Sequence, residues 1–546
     1  MKIKVQRINQ NCWVKHLYSW MVPVLTMHLV DNSPQVDSEG KRIKGVRRYD
    51  KPAYWCDTDG SVLFLAGLFD DFKKAAEKNG VEVDYVDVRS PNPLNIAPDL
   101  DNLSADLRYK QADVIQSIID HDKGIIKCSV GFGKSFIIKL LCMIYPKARI
   151  VVISRARLVV DQLYNDISAT IGKNAVGKLC AGTPSTEEGK RVVISTQNSA
   201  MRAPLKKCDF LFFDEVHNVG DNQIYDILRG EVGPARMFGF TASLARGDGA
   251  LGLIKGLFGK VIAECTYQEA QSHGMVTPIE AIMPKYNHRP LTKLTDIQII
   301  NERVHYWQNH QRNAFIAQIA ADTDPDVQTV ITVKTLEHAI FLHNQPQLTD
   351  WPIIHAGNVE RGKLVNAAYT LETAPDILEA IRLTDNTPVV LRVFPGDSHN
   401  LPGYMDGDKL VSFREAQRNY TTRDGRPVQH MYNRPVIVGG HDVREFALKK
   451  KQVDELVGRF ATGELKKAIA TTVIKEGINL NYLKVLIRAD GATSQVFNTQ
   501  VPGRLSRLAE GKKLTLLFDP WDDDNPWVLS RSMARMKLYK AQGWMK

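Results

Sequence analysis

The sequence of 546 residues predicts an α/β protein with two doubly wound parallel-sheet domains in tandem, a small α+β domain before them and an insertion within the second. Three observations predict it. From about Ile125 to Ala263, short β-rich runs (Arg149 to Ile153, Arg191 to Ser195, Asp209 to Phe213, Met237 to Thr241) alternate with helical periodicity, and each ends in a polar cluster. That alternation argues a parallel sheet with functional loops at one edge. A second set of runs follows at Thr329 to Val333, Pro435 to Val438, Ala468 to Thr471, Val485 to Ile487 and Leu514 to Phe518. Within it, about 75 residues between Gly357 and Arg434 break the pattern with turn-rich pieces, and a structureless loop of that length inside a compact domain is uncommon.

These readings divide the chain into residues 1–100, residues 101–283, residues 284–520 with the insertion at about 357–434, and a basic helical tail at 521–546. The first part has β-rich pieces, a helical segment near Ala66 to Asn79 stopped by Gly80, and a linker marked by Pro91, Pro93 and Pro98. Such a length forms several domains, each able to bury its own core. The formal net charge of +10 and pI near 9.0 favour a polyanionic partner, because Lys and Arg that neutralise phosphates gain from counterion release. Seven cysteines without a CxxC pair read as reduced core thiols. The opening residues lack the apolar stretch of a secretion signal, and no run approaches membrane-spanning length, so a cytoplasmic protein with no membrane partner is expected. No repeat of 20 to 50 residues points to a solenoid.

The most informative run is Cys128-Ser-Val-Gly-Phe-Gly-Lys-Ser135, between a strand at Ile125 and Ile126 and a helix from Phe136 to Met143. Gly131 and Gly133 let backbone N–H groups at the helix start converge on phosphate oxygens. Lys134 then reaches the β- and γ-phosphates and the Ser135 hydroxyl meets magnesium. Cys128 stands where the full pattern has glycine, and a Gly-rich turn that binds nothing is the alternative. Next, the apolar run Phe210 to Phe213 delivers Asp214 and Glu215 at a strand end. There Asp214 can hold magnesium through water and Glu215 can orient and deprotonate the attacking water, the alternative being a solvated strand end.

Other residues gain weight from that context. Gln111 opens a helix after Leu107-Arg-Tyr-Lys110, and its two-sided amide can read adenine. Thr241 and Ser243 end a strand after the acidic pair, where hydroxyls either link nucleotide state to the neighbouring domain or simply serve a turn. Arg504 and Arg507 stand at i and i+3 in Gln500-Val-Pro-Gly-Arg-Leu-Ser-Arg507, so a helix would place them on one face. Such a pair either clamps a transferring phosphoryl group or is a solvated face.

In motif order across residues 105 to 520, the chain resembles a superfamily-two helicase, and this resemblance implies tandem RecA-like domains that use ATP and magnesium. It implies that Gln111 reads adenine, that Gly131, Gly133, Lys134 and Ser135 form the first motif, and that this motif tolerates Cys128. It further implies that Asp214 and Glu215 bind magnesium and activate water, and that Thr241 and Ser243 couple hydrolysis to motion. Gly477 then lies in the fifth motif, while Gln500, Arg504 and Arg507 of the sixth face the nucleotide. More narrowly, Tyr54-Trp-Cys-Asp-Thr-Asp-Gly60, Gly67-Leu-Phe and Phe72-Lys-Lys are similar to the N-terminal domain of the phage recombination and repair helicases. That similarity implies remodelling of branched or forked DNA, including R-loops that contain RNA, with low sequence specificity.

Candidates for the nucleic-acid track are Arg155, Arg157, Thr196 and Gln197, each just after a strand. Arg531, Arg535, Lys537 and Lys540 form a basic stretch that is either on the track or a solvated face. Trp55, Trp521 and Trp527 either stack on bases or anchor cores. A restriction-system motor, an RNA-remodelling helicase and a non-enzymatic nucleic-acid binder are the competing functions.

Overall fold

The computed structural model describes residues 1–31, 35–36, 42–43, 47–102, 107–155, 157–181, 188–220, 222–244, 248–295, 298–355, 377–394, 403–423, 428, 437–471, 480–493, 498 and 501–545. It forms two compact units, Met1–Val276 and Thr277–Lys546.

In the first unit, seven parallel strands lie in the order Val176–Leu179, Val192–Thr196, Ile150–Ser154, Phe210–Asp214, Arg236–Thr241, Lys123–Cys128 and Val261–Cys265. All residues of the three strands at 150–154, 210–214 and 236–241 are buried, as expected of strands covered on both faces. Parallel pairing sends their ends to one edge: Lys127 lies opposite Thr241, and Asp214 opposite Phe240. The phosphate loop, the acidic pair and the hydroxyl pair therefore leave neighbouring strands on the same side of the sheet.

The small N-terminal sheet has the order Tyr54–Cys56, Val62–Leu65, Asn11–Val14, Lys2–Ile8 and Glu82–Asp87, antiparallel except for the last pair. Its helix, Phe69–Lys78, is followed by Gly80 at φ +67°, a left-handed stop supplied by the glycine the sequence marks. This sheet shares one apolar core with the parallel layer. Phe64, Leu65 and Phe72 belong to the same buried cluster as Phe213, Leu253 and Leu257. A Cβ on Gly67 would lie 2.0 Å from the Lys255 carbonyl oxygen. Charges close the joint, with Arg89 and Arg7 both paired to Asp122.

The second unit repeats the architecture with six parallel strands in the order Ile279–Ile282, Thr515–Phe518, Val485–Arg488, Thr329–Thr332, Lys467–Ala470 and Ile353–Ile354. Helices His310–Ala321 and Leu336–His343 contribute to its core. Each unit thus carries a parallel α/β sheet, as the alternation of runs predicts. The expected strand at Pro435 to Val438 is not in this sheet: Ile437–Val438 pairs only with His441–Asp442 in a hairpin. Two-residue Ile353–Ile354 takes the edge instead.

Between these elements, the described part of the insertion folds as a separate antiparallel sheet, in the order Lys409–Ser412, Gly403–Asp406, Thr387–Phe394, Ile377–Arg382 and Tyr420–Thr422. Leu391, Tyr404, Val411 and Tyr420 form its own small core. Arg382 and the Tyr420 hydroxyl both bond the Asp406 carboxylate.

Candidate functional site

The strand Lys123–Cys128 runs through a tight loop into the helix Lys134–Ile144, whose N-cap is Gly133. Gly131 and Gly133 have φ of +87° and +99°, a region costly to any residue with a Cβ. At Gly133 a Cβ would also meet Gln111 Nε2 at 2.8 Å and Arg108 at 3.1 Å, so the loop is closed in by the segment preceding it. Gln111 is fully buried; its Nε2 donates to the Phe132 carbonyl at 2.8 Å and its Oε1 accepts from the Arg108 N–H at 2.9 Å. One end of its amide thus braces the phosphate loop and the other holds the segment that precedes its own helix. Lys134 donates from Nζ to the Cys128 carbonyl at 3.2 Å, and Ser135 is half-buried in the first helical turn. Ser129 Oγ is buried and has no hydrogen-bond partner among the described residues. A glycine that admits no side chain, an ammonium folded over the loop and an unmatched hydroxyl fit a phosphate chain.

At the end of Phe210–Asp214, Asp214 is 8 % exposed and accepts from Ser154 Oγ at 3.3 Å. Burial, and then the neighbouring Glu215 charge, push its carboxyl up to about 6, against the pull of Lys134. A desolvated carboxyl with so little neutralising charge fits a divalent cation. Glu215 sits at φ 56°, ψ 54°, the left-handed region that a β-carbon disfavours by roughly 1 kcal/mol or more. Its carboxylate lies 3.2 Å from His217 Nδ1, which lies 3.0 Å from Thr241 Oγ1. Thr241 Oγ1 donates to the Ser243 carbonyl at 2.8 Å, so its single proton is spent there and His217 Nδ1 is the donor to it. The one Nδ1 proton of His217 is shared between the Glu215 carboxylate and Thr241 Oγ1, and through it contacts run from Glu215 to Ser243. Sequence reasoning missed His217 as its middle member and Ser154 as the partner of Asp214; the signals were a histidine two residues past the acid and a serine ending the adjacent buried strand.

The structure therefore brings together Gln111, Gly131, Gly133 and Lys134, and joins Asp214, Glu215, Thr241 and Ser243. Of the nucleic-acid candidates, Arg155 is exposed and donates to Asn218 at 3.1 Å, while Asn218 in turn donates to the Glu215 carbonyl at 3.1 Å. Exposed Arg157 reaches the Ala181 carbonyl at 3.4 Å. Thr196 is buried and its hydroxyl bonds Ser199, so a side-chain contact from it is spent internally. Gln197 is half-buried.

In the second unit, Arg504 opens a short 3-10 turn that ends at Ser506, leaving Arg507 in an extended cap. The regular helix that would align the pair on one face stops before Arg507. The guanidiniums remain close enough to interact: burial, and then the Arg504 charge, lower Arg507 to about 10. Gly477 and Gln500 lie outside the described residues. The basic tail is corrected at its centre. Arg535, on the helix Pro526–Ala541, is fully buried and bonds Asp519 at 2.8 Å, and Arg531 bonds the Gly491 carbonyl and packs over Trp527; only Lys537 and Lys540 of the four are exposed. Trp55 lies under Arg229 and Trp521 near Lys285, each half-buried. All seven cysteines are free, six are buried, and burial pushes Cys12, Cys128, Cys142 and Cys208 up to about 12, which makes them inert at neutral pH. Among the described residues no helix is long and apolar enough to cross a membrane.

Residues 104–246, which hold the phosphate loop, the acidic pair and the hydroxyl pair, match the family model described as type III restriction enzyme, res subunit. Among solved structures, the chain is similar to T4 UvsW at 14% identity, covering 99% of this chain and 98% of that one, with a TM-score of 0.37. It is also similar to S. cerevisiae Dbp5 bound to RNA and ADP BeF3 (14% identity, 83% of this chain and 93% of that one, TM-score 0.45). A third is the fragment structure of a putative HsdR subunit of a type I restriction enzyme from Vibrio vulnificus YJ016 (14% identity, 91% of this chain and 87% of that one, TM-score 0.44). No curated protein matches the sequence.

Proposed function

We propose that the protein is an ATP-dependent DNA helicase or translocase that remodels branched DNA by fork regression, Holliday-junction branch migration and unwinding of R-loops or D-loops. One observation carries the reading: the desolvated Asp214, the strained Glu215 and the Glu215–His217–Thr241–Ser243 path occupy the same sheet edge as the phosphate loop. In this reading Gly131, Gly133 and the N–H groups of the first helical turn bind the phosphate chain. Lys134 leaves the Cys128 carbonyl for the terminal phosphates. Ser135 and Asp214 would hold magnesium, the latter through water, and magnesium when bound neutralises charge on the transferring phosphoryl group. Glu215 takes a proton from the attacking water, and His217 passes the change in its position to Thr241. Gln111 contributes through the loop it braces and through adenine. In the same reading Arg504 and Arg507 would supply cationic groups to the transferring phosphoryl, while Gln500 and Gly477 lie outside the described residues. Nucleotide state then alters the hold on nucleic-acid backbone, which yields movement with little sequence preference and steep salt dependence.

The direct test compares ATP-dependent processing of four-way junctions, forks, R-loops and simple tailed duplexes by the full chain. Preference for the branched substrates is expected; equal activity on all four would remove the branch specialisation, and absence of ATP hydrolysis would remove the motor. The family description favours a second reading, the motor of a restriction system. Metal-dependent linearisation of plasmid by the purified chain would select it.

A further inference from the structure

The N-terminal domain carries a β-hairpin that the proposed motor chemistry does not use. Thr26–Asp31 pairs antiparallel with Arg47–Pro52, from Thr26 opposite Pro52 to Asp31 opposite Arg47, and the ladder resumes farther out where Gln35–Val36 pairs with Arg42–Ile43. Its charge is divided between its two halves: Thr26 to Glu39 has three acids (Asp31, Asp37 and Glu39) and no Lys or Arg, whereas Lys41 to Lys51 has six cations (Lys41, Arg42, Lys44, Arg47, Arg48 and Lys51) and one acid, Asp50, which bonds His28 at 2.6 Å. Arg47 and Arg48 are exposed, and among the described residues neither has a carboxylate partner. Two adjacent arginines on a pleated strand point to opposite faces, so both faces of the hairpin stem present a guanidinium.

The root of this arm is fixed to the catalytic layer. Val30 N–H donates to the Asp248 carbonyl at 2.9 Å. A Cβ on Gly249 would lie 2.1 Å from the His28 carbonyl oxygen, and one on Gly252 would lie 2.1 Å from Met27 Sδ. Met27 and Tyr49 pack on the shared core. Asp248 to Gly252 leads into the helix Leu251–Phe258 and follows Thr241 and Ser243 in sequence, so the arm is rooted on the unit that carries the Glu215–His217 contacts.

We infer that the hairpin stem of Thr26–Asp31 and Arg47–Pro52 is a nucleic-acid-binding arm that grips the phosphate backbone through Arg47 and Arg48. Guanidinium groups pair phosphates bidentately, and neither arginine gives up a carboxylate in doing so, Arg47 lying only over the Tyr49 ring at 5.9 Å. The chemistry selects a polyphosphate strand rather than a base sequence. This inference rests on the proposed nucleic-acid-dependent motor.

The test uses the full chain with Arg47→Ala/Arg48→Ala, and Lys73→Ala/Lys74→Ala on the exposed face of Phe69–Lys78 as a charge-matched control in the same domain. Anisotropy of labelled duplex DNA, single-stranded DNA and single-stranded RNA is followed across a salt series, together with the nucleic-acid concentration that half-maximally stimulates ATP hydrolysis. The arginine variant is expected to need about tenfold more nucleic acid and to lose roughly 1 to 2 from the slope of log affinity against log salt, with the control within twofold of the parent. Parent-like affinity and slope in the arginine variant, with the parent itself binding and stimulated, overturn the arm alone. If the parent neither binds nor is stimulated, the motor reading falls with it. Both arginines are exposed, so an unchanged melting temperature separates a lost contact from a lost fold.

Discussion

The two parallel sheets place polar groups at their carboxyl edges in opposite ways. In the first unit, among the described residues, Asp214 has one side-chain hydrogen-bond partner, Ser154, at 3.3 Å, and the Ser129 hydroxyl has none. In the second unit Arg488, at the end of its strand, bonds Asp490 and the Tyr539 hydroxyl, both at 2.6 Å. Arg535 bonds Asp519, and Arg312 bonds Asp522 at 2.6 Å, all of these side chains being buried. A carboxyl raised by burial is an unmet demand that a bound cation can satisfy, whereas the charges of the second unit compensate one another, Asp519 Oδ1 being left without a hydrogen bond among the described residues. One sheet edge is built for chemistry and the other, over this network, for holding its helix.

The sharpest way to break the comparison is to remove one group from each role in the first unit. Lys134→Ala should abolish nucleotide binding and turnover. Glu215→Gln should keep binding and lower hydrolysis by about 10² to 10⁴-fold, the range expected when a general base is lost. Binding of a fluorescent ATP analogue alongside steady-state hydrolysis separates the two; near-normal turnover by Glu215→Gln rejects its assignment as the base.

The matching perturbation of the second unit acts on stability. Arg535→Ala leaves Asp519 and Asp522 buried with less compensation, and breaking such a pair costs about 3–5 kcal/mol. A loss of cooperative melting or a large fall in the midpoint is expected. A midpoint within a degree or two of the parent would show that the network is not structural.

The third perturbation is of pH. The folded value of Asp214, about 6, lies above the ordinary aspartate range. Its ionised form is therefore disfavoured in the fold, and it costs stability progressively as pH rises from about 4 through 6, the cost remaining above that. Asp214→Asn should melt a few degrees higher than the parent at pH 8 in the absence of nucleotide and metal, and no higher at pH 4. A difference that does not vary with pH would place the titrating group elsewhere.

The same contrast explains what could be read from the sequence. The strands at 150–154, 192–196 and 210–214 fall within one residue of their expected positions because runs buried on both faces have no polar break to blur them. Edge strands gave weaker signals: Val261–Cys265 is mostly part-exposed, and Ile353–Ile354 is too short to carry a period. At the site, residue identities were legible in Lys134, Asp214 and Glu215, but the brace from Gln111 to Phe132 and the link through His217 depend on which segments pack together. Arg535 looked like a surface cation because its neighbours on the helix are basic. Its burial was foreshadowed only by Asp519, Asp522 and Asp524 immediately before the helix, acids whose partners no local pattern names.

That leaves Lys537 and Lys540, the two cations of the C-terminal helix that the network does not absorb. With Arg531 and Arg535 turned to protein partners, the helix presents a short cationic face rather than a basic stripe. Lys537→Ala/Lys540→Ala should shift stability by no more than about 0.5 kcal/mol, as exposed substitutions usually do. It should weaken nucleic-acid binding less than the Arg47/Arg48 pair does, by about twofold or less at moderate salt, where solvated charges are screened. A loss equal to that of the hairpin variant would move the track to this helix, and would mean that a sheet edge closed to chemistry still presents its outer surface to the substrate.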